Sequence, residues 1–267
     1  MPPSMGGIFI TLNYRLSIII SALSNFCILP IKILISTSHM KIFRRKKISK
    51  YIEFLDQLKK SGYQLKTVYD IGACKGSWSK ELKSQYPDTE IILFEANPAY
   101  TDDLSNSRFQ FFNVALSNPG RAYVDFYNGT NTGDSYYKET TKFYDGQASI
   151  RLQCETLDNI IKIHGLPIPN FIKIDTQGSE LDILQGSESI LDQVDFIYTE
   201  CPIIQYNNGA PDISEYLQFF KKKNFIPVNI YEIHRAENIL LQIDIMFVRS
   251  DFKDQYFGPS EFIRPLL

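Results

Sequence analysis

Four carboxylates stand at the ends of apolar runs in this chain: Asp70 after T-V-Y, Glu95 after I-I-L-F, Asp175 after F-I-K-I and Glu200 after F-I-Y-T. An acid at the tip of a buried strand can accept hydrogen bonds from ligand hydroxyls, or take a proton from an acceptor held beside it. The first of them opens D-I-G-A-C-K-G, where Gly72 and Gly76 permit positive φ and close backbone approach, and a helix starts near Ser77. N–H groups at such a turn and helix start favour a negative ligand group. Together these are the features of a nucleotide-cofactor loop.

Which nucleotide is constrained by one missing residue. A dinucleotide loop wants G-x-G-x-x-G, with a middle glycine that lets the pyrophosphate approach. Here the string is I-G-A-C-K-G, and no obvious Tyr-x-x-x-Lys pair sits beside a strand. Both points weigh against an NAD(P)-dependent oxidoreductase acting on a nucleotide sugar. A shorter anionic group, such as an amino-acid carboxylate, asks less of the turn. Glu95, about 25 residues after Asp70, has the place of the acid that accepts hydrogen bonds from ribose hydroxyls in a doubly wound fold. A non-catalytic nucleotide-binding module would carry the same loop and acid.

The elements that must position these groups follow from periodicity. Apolar residues at Ile48, Tyr51, Ile52, Leu55 and Leu58 predict an amphipathic helix ending at Gly62. Strands are predicted over 66–71, 90–96, 109–116, 171–175 and 194–200, with helices over 77–86, 156–165 and 180–191 between them. The rhythm changes at 121–127 and 149–154, which alternate at period two and predict an inserted antiparallel β-hairpin. Its loop, 128–148, is long enough to be either a functional lid or a mobile connection. Asp212 and Glu215 have capping-box spacing ahead of a stripe of Ile213, Tyr216, Leu217 and Phe220. Two last strands, 225–231 and 241–248, are joined by about ten residues, too few for a helical crossover, so they are antiparallel.

Bulk properties narrow the partners. An apolar fraction of 44% over 267 residues supports one large α/β domain with an N-terminal appendage. The net charge of −2 provides no basic field for nucleic acid. Four cysteines without a C-x-x-C pair argue against a zinc site and a disulfide framework, and fit a reducing, cytoplasmic setting. Residues 16–31 are apolar but interrupted by Asn25 and Pro30, about 16 residues against the about 20 that a spanning helix needs, and a membrane association would run through 16–35. The basic run 40–50 after them reads as the cytoplasmic flank of a signal anchor, giving membrane association, or as a solvated helix face. Two further readings are a start at Met40, with 1–39 a non-native extension, and a cleaved signal peptide.

Taken in order, V-Y-D-I-G-A-C-K-G-S-W-S, F-E-A-N-P, F-I-K-I-D-T-Q-G-S-E-L-D-I-L-Q-G and Y-N-N-G-A-P resemble the FkbM-type S-adenosylmethionine-dependent methyltransferases over residues 48–250. The resemblance implies a Rossmann-like class I fold, with a seven-stranded, mostly parallel sheet, a terminal antiparallel hairpin and the inserted hairpin. The chain is accordingly read as an apolar appendage (1–39), an N-terminal helix (40–65), the methyltransferase domain (66–250) and a C-terminal tail (251–267). The resemblance places the methionine end of the cofactor on Asp70, Gly72, Ala73 and Gly76. The ribose falls to Glu95 with Asn97 beside it, and the adenine lies near 113–115, starting at Asn113. Asp175 falls by the sulfonium and the acceptor, a hydroxyl of a sugar, glycan or other small metabolite. Position 74 departs from the pattern, which has Asn where this chain has Cys74.

Methyl transfer is an in-line displacement in which positioning contributes most and a carboxylate can take the acceptor's proton. The bases considered are Asp175, Glu200 and His234, together with Glu180. Glu180 has the simpler reading of a first-turn acid complementing a helix dipole. His234 falls in the last hairpin's connection, where solvent exposure is the default. A divalent metal shared by Asp175 and Glu200 is chemically conceivable, but no local ligand spacing supports it, so none is assigned.

Overall fold

The computed structural model describes residues 49–129, 133–141 and 148–256, all within the compact unit Lys47–Leu267. In chain order its elements are α1 (Lys50–Lys60), β1 (Thr67–Ile71), α2 (Ser77–Gln85), β2 (Glu90–Glu95), a 3-10 turn (Pro98–Tyr100), α3 (Thr101–Ser105), β3 (Gln110–Asn113), β4 (Ala115–Leu116), β5 (Tyr123–Tyr127) and β6 (Ser149–Glu155). There follow α4 (Leu157–His164), β7 (Phe171–Ile174), α5 (Glu180–Gln185), β8 (Phe196–Pro202), α6 (Ile213–Lys222), β9 (Phe225–Ala236), β10 (Ile239–Arg249) and α7 (Ser250–Tyr256).

Strands that read as near-continuous apolar runs are the ones buried on both faces. β1 and β7 are buried at every position, and β8 at all but Glu200. They form the middle of a seven-stranded sheet of order β3-β2-β1-β7-β8-β10-β9, in which β10 alone runs against its neighbours. The expected mostly parallel sheet with a closing antiparallel hairpin is therefore present. Strand order reverses between β1 and β7, and ligands of open α/β sheets bind outside the carboxyl ends at such a point.

Helices cover both faces. On one, α4, α5 and α6 bury Leu157, Ile161, Leu184, Tyr216 and Phe220; on the other, α1 and α2 bury Leu55, Leu58 and Leu82 and α7 buries Phe252. Each fully buried aliphatic side chain of this size contributes about 1.5–3 kcal/mol. Helix ends follow the local chemistry. Thr156 caps α4 by accepting from Asn159 N, Gly165 stops it at φ +61°, and Asp212 and Glu215 form a complete capping box on α6.

Three sequence expectations are corrected. The segment 109–116 splits into β3 and β4, and β4 leaves the main sheet to pair parallel with β6, giving a separate sheet of order β4-β6-β5 that contains the expected β5–β6 hairpin. The helix expected over 180–191 ends at Gln185, followed by turns. β9 and β10 are longer than expected and leave two residues between them, so His234 lies on β9 and not in a connection. No helix among the described residues is long and apolar enough to cross a membrane. The segment 16–35 and the basic residues before position 49 lie outside the described residues.

Candidate active site

The loop after β1 is shaped by contact with the loop after β7. Gly72 and Gly76 have φ of +73° and +69°, and a Cβ on Gly72 would sit 1.9 Å from the Asp175 carbonyl oxygen. Asp175 N donates to Ile71 O at 3.0 Å, and Gly72 N and Ala73 N both donate to Phe94 O at the end of β2. Cys74 also adopts positive φ, +50°. That conformation favours Gly and Asn, which explains why Asn suits this position in the related pattern. Cys74 nevertheless supplies the same backbone donor, its N–H reaching Glu95 Oε2 at 2.7 Å.

Glu95 is buried, with Oε1 accepting from Asn97 N at 2.8 Å. Burial pushes its carboxyl up, and the N–H groups of Asn97 and Cys74 oppose that rise. A carboxylate has about four acceptor sites. Two are used here, which leaves capacity for a vicinal diol. Glu95 lines a cavity whose other walls include Gly72, Phe94, Val114, Ala115 and Asp175. The cavity thus combines apolar walls at Phe94, Val114 and Ala115 with the carboxylates of Glu95, Asp134 and Asp175.

The other predicted residues surround this cavity without forming its walls. Asp70 is fully buried behind the loop, its Oδ2 accepting from Ser79 Oγ at 2.6 Å and its Oδ1 3.2 Å from Lys173 Nζ. Ala73 packs in the core, and Gly76 closes the turn by donating to Ala73 O. Asn97 caps the 3-10 turn by accepting from Ala99 N and donates to Asp134, while Asn113 accepts from Thr101 Oγ1. Of residues 113–115, Val114 and Ala115 line the cavity and Asn113 does not. Glu180 is buried and accepts from Thr176 N, Gly178 N and Tyr216 Oη, so it braces the loop after β7 from inside.

Three groups escaped the sequence reading. Lys173 is almost fully buried and sits 3.4 Å from Asp175 Oδ2 as well as 3.2 Å from Asp70, and it donates to Gly72 O at 3.2 Å. Burial alone would lower its pKa, but the carboxylates of Asp70 and Asp175 outweigh it and hold the ammonium charged. The signal was available: a lysine inside the otherwise apolar strand F-I-K-I. Gln177, at φ +57°, donates from Nε2 to Asp175 Oδ1 at 3.1 Å and to Glu200 Oε2 at 2.6 Å. Asp182 accepts from Tyr136, Tyr137 and Asn118, tying the described part of the long hairpin loop onto α5. Tyr136 lines the cavity, so this part of the loop is a docked cover. Residues 130–132 and 142–147 of that loop lie outside the described residues.

Glu200 and His234 share the sheet edge with Asp175 but do not line the cavity. The Glu200 carboxyl is pushed well up, first by burial and then by Asp175, Asp244 and Glu180, with Lys173 opposing.

Residues 70–227 match the methyltransferase FkbM domain, more than half of the chain. This chain belongs to the FkbM methyltransferase family. The loop after β1, Glu95 and the switch-point cavity all fall within the residues that match this methyltransferase domain. Among curated proteins it is similar to the 2-O-methyltransferase NoeI of Sinorhizobium fredii (strain NBRC 101917 / NGR234), 27% identical over 158 residues. That match covers 50% of this chain and 62% of the relative. Solved structures with a similar course include the plantazolicin methyltransferase BamL (TM-score 0.47, 9% identity, 75% of this chain and 84% of that one). Another is the magnesium protoporphyrin IX methyltransferase of Synechocystis PCC 6803 (TM-score 0.43, 8% identity, 75% and 78%).

Proposed function

We propose that this FkbM methyltransferase methylates a hydroxyl oxygen on a sugar, a glycan or another small metabolite, with Asp175 as the base. The observation that carries the reading is the Asp175 carboxylate on the wall of the same cavity as Glu95, partly exposed where Asp70, Glu95 and Glu180 are buried. The acceptor class is supported by the relative named as a 2-O-methyltransferase.

S-adenosylmethionine supplies an electrophilic methyl group on a sulfonium when bound. The residues present fit it. Glu95 has acceptor capacity for the ribose diol, the apolar walls at Phe94, Val114 and Ala115 suit the base, and the Gly72 backbone allows close approach of the amino-acid end. Lys173, Asp70 and Gly76 act on that end through the loop they hold, not by contact. Asp175 takes the proton that the acceptor hydroxyl loses. Lys173 and Gln177 orient its carboxylate, while Tyr136 and the docked cover exclude water.

Calorimetric titration with S-adenosylhomocysteine and with NAD separates this reading from a dinucleotide enzyme, since preferential NAD binding would overturn it. Two variants assign the roles. Glu95→Ala removes hydrogen bonds to a charged acceptor and is expected to weaken S-adenosylhomocysteine binding by about 2–3 kcal/mol, roughly 30- to 150-fold. Asp175→Asn should leave that affinity within a few-fold and slow single-turnover methylation of a saccharide acceptor by about 10²–10⁴. The opposite pattern would exchange the two assignments, and label transfer to protein or RNA in place of a hydroxyl would refute the acceptor class.

A further inference from the structure

The last three strands bring together side chains that are far apart in sequence. Glu200 on β8 and Asp244 on β10 are cross-strand partners, and His234 comes from β9 opposite Gln242, beside a register shift. One ligand-type atom from each of Glu200, His234 and Asp244 lies within 4.8 Å of the other two.

The local bonding is unusual for a plain polar cluster. Asp244 is 8% exposed; its Oδ2 accepts from Tyr198 Oη at 2.8 Å, whereas its Oδ1 makes no hydrogen bond. His234 Nε2 lies 3.3 Å from that oxygen, is itself shielded from solvent, and makes no hydrogen bond either. The two atoms meet as a close ion-pair contact, with Glu232 Oε2 3.8 Å from the same nitrogen, and their spacing is one that a shared cation also fits. Ligand atoms about 2.0–2.1 Å from a tetrahedral ion lie about 3.3 Å apart. Tyr198 already holds the second oxygen of Asp244, as an orienting partner of a ligating carboxylate does.

We propose that Glu200, His234 and Asp244 form a site for a divalent transition-metal cation. One imidazole and two carboxylates suit zinc, cobalt or manganese better than magnesium or calcium, which prefer all-oxygen sets. Charge supports it, because the acids here outnumber their cations. Glu200 lies within 4.8 Å of the other two ligand atoms while its Oε2 accepts from Gln177 Nε2 at 2.6 Å, so on binding Glu200 turns from Gln177 toward the ion. Gln177 then answers to Asp175 alone, which links the ion to the carboxylate on the cavity wall. The metal site itself does not rest on the methyl-transfer reading.

The test uses the full chain after chelator treatment, titrated with Co²⁺ and followed by its visible d–d absorption. One ion per chain is expected, with about hundredfold weaker binding in Asp244→Asn and in His234→Ala and about tenfold weaker in Tyr198→Phe. The chain has three histidines. Co²⁺ should therefore shift one of three imidazole NMR signals in the unaltered protein, the one that His234→Ala lacks. No Co²⁺ binding, no shifted imidazole, or affinity undiminished in both ligand variants would overturn the site. Calorimetry with S-adenosylhomocysteine on the same samples reports folding. Co²⁺ binding without S-adenosylhomocysteine binding would sink the methyltransferase reading and leave the metal site standing.

Discussion

Replacing Lys173 by methionine is expected to destabilise the protein by about 3–5 kcal/mol, read as a lowered chemical-denaturation midpoint. The size follows from what stays behind. Asp70 is fully buried and its carboxylate has two partners, Lys173 and Ser79. Methionine fills much of the space of the lysine stem but removes the charge, so Asp70 is left as a buried anion with one hydroxyl donor. The Gly72 carbonyl loses its donor in the same change, and Asp175 loses its closest cation. Adding Asp70→Asn to Lys173→Met should recover part of the loss, because a neutral amide tolerates the apolar neighbour that a carboxylate does not. A single variant that loses less than about 1 kcal/mol would show that water or rearrangement already compensates Asp70. S-adenosylhomocysteine binding should fall as well, since both loops that Lys173 joins border the cavity.

The strand tips were legible because burial on both faces leaves a composition signature: uninterrupted apolar runs that end abruptly in an acid, as at I-I-L-F-E and F-I-K-I-D. Direction was legible too, since short connections force antiparallel pairing and helical ones parallel pairing. What could not be read was which polar group a strand-end acid faces. Asp70 and Glu95 look alike in sequence, yet one is sealed against Lys173 and the other borders the cavity, because cross-strand register decides it: Asp70 lies opposite Lys173. His234 was misplaced for a related reason. The residues around it alternate weakly, so nothing in their composition marks the strand as continuing to Ala236. Asp244 was passed over inside L-Q-I-D-I-M-F-V, where a lone acid in an apolar strand was the same kind of signal as Lys173. Glu180 shows the converse. Its simpler reading is a helix-dipole acid, and its partners in the structure are the Thr176 and Gly178 N–H groups and the Tyr216 hydroxyl.

Gly72→Ala should be among the most damaging single-methyl additions in this fold, lowering stability by about 3 kcal/mol or more and abolishing S-adenosylhomocysteine binding. Two effects add. An alanine at φ +73° bears the left-handed penalty of about 1–2 kcal/mol. The new methyl would also lie 1.9 Å from the Asp175 carbonyl oxygen and 2.8 Å from its carbon, both backbone atoms with no rotamer to yield. Relief requires the loops after β1 and β7 to part, which breaks the Asp175 N to Ile71 O bond and draws Gly72 N from Phe94 O. Gly62→Ala separates the two effects, because Gly62 has φ +89° with nothing within 4 Å of the added Cβ. It should show the conformational penalty alone, about 1–2 kcal/mol, with cofactor affinity unchanged. Equal losses in the two variants would mean that the β1 and β7 loops are not in backbone contact. A larger loss confined to Gly72→Ala would locate the requirement for glycine in that contact, between the two loops that carry the cofactor end and Asp175.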